Sequence, residues 1–160
     1  MFYAFGAGMS PWAKESVREH LPSYFLGVFY HLGIFAALAL LLLQLANIAP
    51  ADPILALARI ATAAGALAGT GLLGKRLLTP ELRGLSCPDD YLSNLLATAF
   101  SALAFSAALA PALVPVFWAE AALLFFYIPL GKIKHCCFFF STRFALGAHL
   151  GRRGVFPPRS

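Results

Sequence analysis

Residues 29–45 read FYHLGIFAALALLLLQL, seventeen positions without a charged side chain and with one histidine, His31, near the start. Extended to about 22–47, the run is long enough to cross roughly 30 Å of hydrocarbon. In lipid it has to be a helix, because every backbone N–H and C=O must be satisfied within the segment. A second stretch, residues 131–140, reads GKIKHCCFFF and places another histidine, His135, at one end of the last apolar run.

The rest of the chain has the same character. Of 160 residues 60% are hydrophobic and 12% charged, with a mean hydropathy of +0.77, whereas soluble domains carry about a quarter charged residues. The pattern predicts an all-α integral membrane bundle of four transmembrane helices. Helix one is expected at about 22–47, helix two at 53–74, helix three at 91–110, and helix four from near 115 to about 141 or further. Residues 47–53 and Pro111 with Pro115 read as turns, and 75–90 as a polar connection. Residues 1–21 read as an interfacial segment, residues 22–150 as the membrane domain and residues 151–160 as a tail. The N-terminus lacks the basic start, apolar core and small-residue cleavage site of a signal peptide.

Charge placement predicts the orientation. Of the twelve Lys and Arg, all but Arg59 fall in the N-terminal segment, the 75–90 connection, or the last turn and tail. The positive-inside rule then puts both termini and that connection in the cytoplasm, the chain being multi-pass in the cell's inner membrane. The net charge of +5 follows from this topology, with no need for a nucleic-acid partner. Arg59 is expected to snorkel to the outer interface, and Gly65 and Gly69 form a GxxxG spacing suited to close helix packing. The three cysteines, Cys87, Cys136 and Cys137, include no CxxC spacing, which argues against cysteine-ligated zinc or an iron–sulfur cluster within the chain.

Helix one runs away from the cytoplasm and helix four returns to it, so His31 and His135 are expected at similar depth. Intramembrane histidines are costly and mark functional sites by default. Two at one level are read as axial ligands on either side of a haem b iron, in an apolar pocket of Leu26, Ala36, Phe138, Phe139 and Phe140. Lys132 and Lys134 flank His135 and are candidate contacts for the haem propionates. His20 and His149 fall near the same helix faces as His31 and His135, which leaves room for a second haem closer to the cytoplasm; both also read as interfacial residues. Glu120 reads as a solvated helix start or a proton carrier, and Tyr127 and Ser93 are weaker candidates for contact with a quinone. Two further readings stay open. One is a cofactor-free membrane anchor for a catalytic partner. The other, a small transporter, would call for buried charges along a path and helices broken at mid-membrane, neither of which the sequence makes evident.

FYHLGIF, then KRLLTPELRG followed by DYLSNLL, then FFYIPLGKIKH, resemble the gamma subunit (cytochrome b) of respiratory nitrate reductases. They are also similar to the membrane cytochromes that accompany heterodisulfide-reductase-like iron–sulfur proteins, the group closer to the tail STRFALGAHLGRRGVFPP. The resemblance covers roughly residues 22–155, without the family's first helix. It implies a quinone-reactive or non-catalytic subunit of a respiratory oxidoreductase complex, with other membrane subunits and a cytoplasmic iron–sulfur partner, for which Arg76, Arg83, Arg143, Arg152 and Arg153 form a basic docking rim. It assigns His31 and His135 to the inner of two haems. The outer pair would fall near Leu41 and Phe117, which cannot ligate iron, so one haem is expected, with quinone bound close to it.

Overall fold

A computed structural model describes residues 5, 6, 10 and 18–154 of the chain. Within these residues the regular structure is helical: α1 (Leu21–Leu45), α2 (Asp52–Leu78), the short α3 (Pro80–Gly84), α4 (Pro88–Leu109), α5 (Val114–Tyr127) and α6 (His135–Arg152). Two 3-10 turns, Pro111–Leu113 and Lys132–Lys134, lead into α5 and α6. The protein is an all-helical, multi-pass membrane protein. Helices α1, α2 and α4, of 25, 27 and 22 residues, are each long and apolar enough to span a bilayer. At 1.5 Å per residue they reach about 33–40 Å. Pro111–Tyr127 and Lys132–Arg152 make a fourth candidate span, divided by a break.

The helix ends follow local chemistry. Proline stands at the first or second position of α2, α3, α4 and α5, where its missing N–H would have had no partner in any case. Helix α1 closes on Asn47, whose φ of 55° is left-handed. Ile48 N–H bonds Leu43 C=O at 2.9 Å and Asn47 N–H bonds Gln44 C=O at 3.0 Å, the paired bonds of a Schellman cap.

The chain falls into two units, Phe25–Lys132 and a second composed of Met1–Tyr24 with Ile133–Ser160. In the first, the bundle, α1 crosses α2 where Gly33 meets Gly65: a Cβ on either would stand 2.5 Å from the Cα of the other. Only glycine permits that approach. On α4, Leu96, Ala97, Phe100, Ser101, Ala104 and Ala107 are buried, a stripe at helical spacing that forms the packed face. Phe100 stacks on Phe117 of α5 at 5.3 Å between centroids, both almost fully buried. Thr62, wholly buried, gives its hydroxyl proton to Ala58 C=O at 2.8 Å. Away from these seams the helices turn outward large apolar side chains such as Phe35, Leu42, Leu57, Ile60 and Leu67, a surface suited to contact with lipid.

In the second unit, Phe5 packs against Phe139 and Phe140 with centroids 6.4 Å away, and Arg143 lies over the Phe139 ring at 5.8 Å, a cation–π contact. Most of the interfacial segment expected at residues 1–21 lies outside the described residues, as do residues 155–160 of the expected tail.

Three expectations are corrected. Helix four does not run unbroken from 115 to 141. It stops at Tyr127, and Leu130 and Gly131 N–H both turn back to Tyr127 C=O. Pro129 is the physical reason: it has no N–H to give to Phe125 C=O and its ring clashes there. Residues 75–90 are mostly helical. Lys75 and Arg76 form the last turn of α2, where cations complement the helix dipole, and Pro80 and Pro88 each start a new helix. The chain is also helical beyond Gly147, through Arg152.

Candidate functional site

His31 lies on α1 within the bundle, and its neighbour Tyr30 sets the rotation of that helix. The Tyr30 hydroxyl donates to Asn94 C=O on α4 at 3.0 Å, and Thr98 Oγ1 lies 3.4 Å from it. The ring occupies the space that a side chain on Gly69 would fill, as does Thr98 Oγ1. Tyr30 thus ties α1 to both α2 and α4. One residue on, at 100° per residue, His31 is turned away from this seam onto an exposed face, beside Phe35 at 6.5 Å between ring centroids.

The imidazole is held from below. Its Nδ1 lies 2.7 Å from Gly27 C=O, four residues earlier in the same helix. With Nδ1 as the donor, Nε2 is the nitrogen with a lone pair, the arrangement that ligating histidines use to fix tautomer and direction.

His135 belongs to the other unit. It is the first residue of α6, preceded by Lys134, and with Phe138, Phe139, Thr142 and Arg143 it lines an open groove of about 220 Å³ along one face of that helix. Phe138 and Phe140 are mainly exposed, as are His20 and His149. Leu41 and Phe117, where outer haem ligands would fall, are buried in the bundle core. Among the described residues, no three His, Cys, Asp or Glu side chains converge on one point.

The sequence reading missed the densest polar cluster. At the start of α4, the Asp89 carboxylate accepts from Tyr127 OH, from Ser93 Oγ at 3.1 Å and from Lys132 N–H at 2.9 Å. Asp90 accepts from Lys132 Nζ at 2.8 Å and, on its other oxygen, from Cys87 N–H at 2.9 Å, one arm of a capping box. Arg76 approaches Asp90 at 3.5 Å and donates to Ser86 Oγ at 2.7 Å. The Asp-Asp pair after Cys87-Pro88 signals a helix start, but its partners on α5 and beyond are 38 and 43 residues away, where no local pattern reveals them. Lys132, a candidate propionate contact, is thereby engaged with Asp90.

At the opposite end of the bundle, Arg59 donates through Nε and Nη2 to Ala108 C=O at 3.1 and 2.5 Å. This carbonyl lies in the last turn of α4 and has no partner within its own helix. Trp118 Nε1 donates to Gln44 Oε1 at 2.9 Å. The Oε1 atom of Glu120 is buried and has no hydrogen-bond partner among the described residues.

Compared with protein-family models, curated proteins and solved structures, the chain matches none.

Proposed function

We propose that the chain is a membrane cytochrome b subunit that passes electrons between a quinone pool and an iron–sulfur partner, with His31 and His135 as axial ligands of one haem b. The observation that carries this reading is the state of His31. An imidazole sits on the outward face of a membrane helix, braced through Nδ1 on Gly27 C=O, with its direction fixed by the Tyr30 clamp on Gly69, Thr98 and Asn94. Histidines within a membrane helix mark functional sites by default, and an imidazole braced through Nδ1 suits one side of a porphyrin iron. Haem, when bound, supplies the one-electron chemistry. The chain's residues would hold it and set its surroundings: His31 would present Nε2 and Phe35 flank the ring.

A single haem is favoured because Leu41 and Phe117 are taken up in core packing. Both termini and the Lys75–Asp90 region are assigned to the cytoplasmic side of the inner membrane from the distribution of Lys and Arg. The basic rim of Arg76, Arg83, Arg143, Arg152 and Arg153 would then face the partner.

The second reading, a cofactor-free anchor, is favoured by the break at Tyr127, which starts a separate helix at His135, and by the engagement of Lys132 with Asp90. Haem content decides between them. Purified protein with a Soret band, a reduced alpha band and one haem per chain supports the cytochrome, and His20→Ala and His149→Ala should keep that content. Haem-free protein overturns the cytochrome and leaves the anchor. Half the haem content in either histidine variant would instead establish two haems.

A further inference from the structure

Residues one apart on an α-helix point about 100° from each other and their side chains do not normally meet. Cys136 and Cys137, in the first turn of α6, break that pattern: their Sγ atoms stand 3.8 Å apart. Both side chains are exposed and neither forms a disulfide.

We infer that Cys136 and Cys137 form a vicinal dithiol site for a single thiophilic centre, of the class of trivalent arsenicals, which bonds to both sulfurs at once. The geometry supports chelation over oxidation. A disulfide would have to bring the sulfurs to about 2.05 Å between adjacent residues of a helix, which demands distortion of the backbone. An atom bonded to each sulfur at about 2.3 Å, the length of a thiolate bond to a soft metal, spans the present 3.8 Å with an S–X–S angle of about 110°. Pyramidal trivalent arsenic prefers a somewhat narrower angle, which a small side-chain rotation supplies without moving the backbone. With an organoarsenic oxide the step balances without an oxidant: two As–S bonds form, both thiol protons and the arsenic-bound oxygen leave as one water, and arsenic stays trivalent. Cys87 is outside this site. It caps α4, with its thiol 3.3 Å from the Asp90 carboxylate, and has no second sulfur of its own helix start to share a ligand with.

The test is a titration of the full-length protein, reduced and in detergent, with phenylarsine oxide, followed by maleimide labelling and intact mass. One arsenical per chain is expected, added with loss of one water, with Cys136 and Cys137 both protected from maleimide and Cys87 still labelled. A competing small dithiol should reverse it. Cys136→Ser and Cys137→Ser should each weaken binding by at least about tenfold through loss of the second, intramolecular bond, while Cys87→Ser changes nothing. Independent labelling of both thiols in the presence of the arsenical overturns the inference on the wild-type protein alone, as does undiminished binding by either single variant.

Discussion

At one end of the bundle, Asp89 and Asp90 gather two hydroxyls, two cations and two backbone N–H groups from α2, the start of α4, α5 and the turn after it. At the other end, a single arginine closes α4 through one carbonyl, a tryptophan reaches one glutamine, and α1 ends on its own backbone bonds at Asn47. The basic end joins segments that are distant in sequence, and does so with charge. The opposite end satisfies helix termini one at a time and relies on apolar packing, Phe100 on Phe117, for the rest. The contrast fits a membrane protein in which one rim holds the ion pairs of Asp90 with Lys132 and Arg76 and the other holds few charges. Pro129 makes the turn after Tyr127, and Asp89 holds both sides of it, its carboxylate taking Tyr127 OH and Lys132 N–H.

The contrast can be broken by substitution, with melting temperature in a fixed detergent as the readout. Asp89→Ala should give the largest loss, because one change strips the acceptor from three donors, whereas Asp89→Asn, which keeps the shape and one oxygen, should recover part of it. If Asp89→Ala melts like wild type, the basic end is not what holds the turn. Arg59→Ala should cost less, about 1.5–3 kcal/mol, the usual worth of a hydrogen bond from a charged group. A null result there would mean that Ala108 C=O finds another donor. Trp118→Phe keeps a smaller aromatic ring and removes the bond to Gln44; about 0.5–1.5 kcal/mol is expected. A larger loss than for Arg59→Ala would invert the ranking at that end.

Much of the fold was legible in the residues themselves. The apolar runs fixed the existence of the spans, and Pro22, Asn47, Pro53 and Pro111 marked their ends to within a few positions. The break after Tyr127 was also written there, in Pro129, but the long apolar run around it reads as continuous unless the missing N–H is given more weight than hydropathy. The helical character of residues 75–90 was hidden by their charge, which marks a membrane boundary and says little about backbone conformation. Part of the candidate site was visible: His31 stands out as the lone imidazole in an uncharged run, and Gly65 and Gly69 as places of close approach. Their partners, Gly33 and Tyr30, lie 32 and 39 residues earlier, and only the folded crossing brings them together. Lys132 reads naturally as a neighbour of His135 along the chain, and its ion pair with Asp90 depends on the turn that Pro129 creates.

The most direct measurement is a reduced-minus-oxidised absorption spectrum of purified wild-type protein and His31→Ala, recorded at matched protein concentration after both have been shown to be equally helical. An alpha band of b-type haem in the wild type that vanishes in His31→Ala is the expected result. The same band at full intensity in the variant would remove His31 from the iron, and with it the reading of the bundle's outward imidazole as a haem ligand.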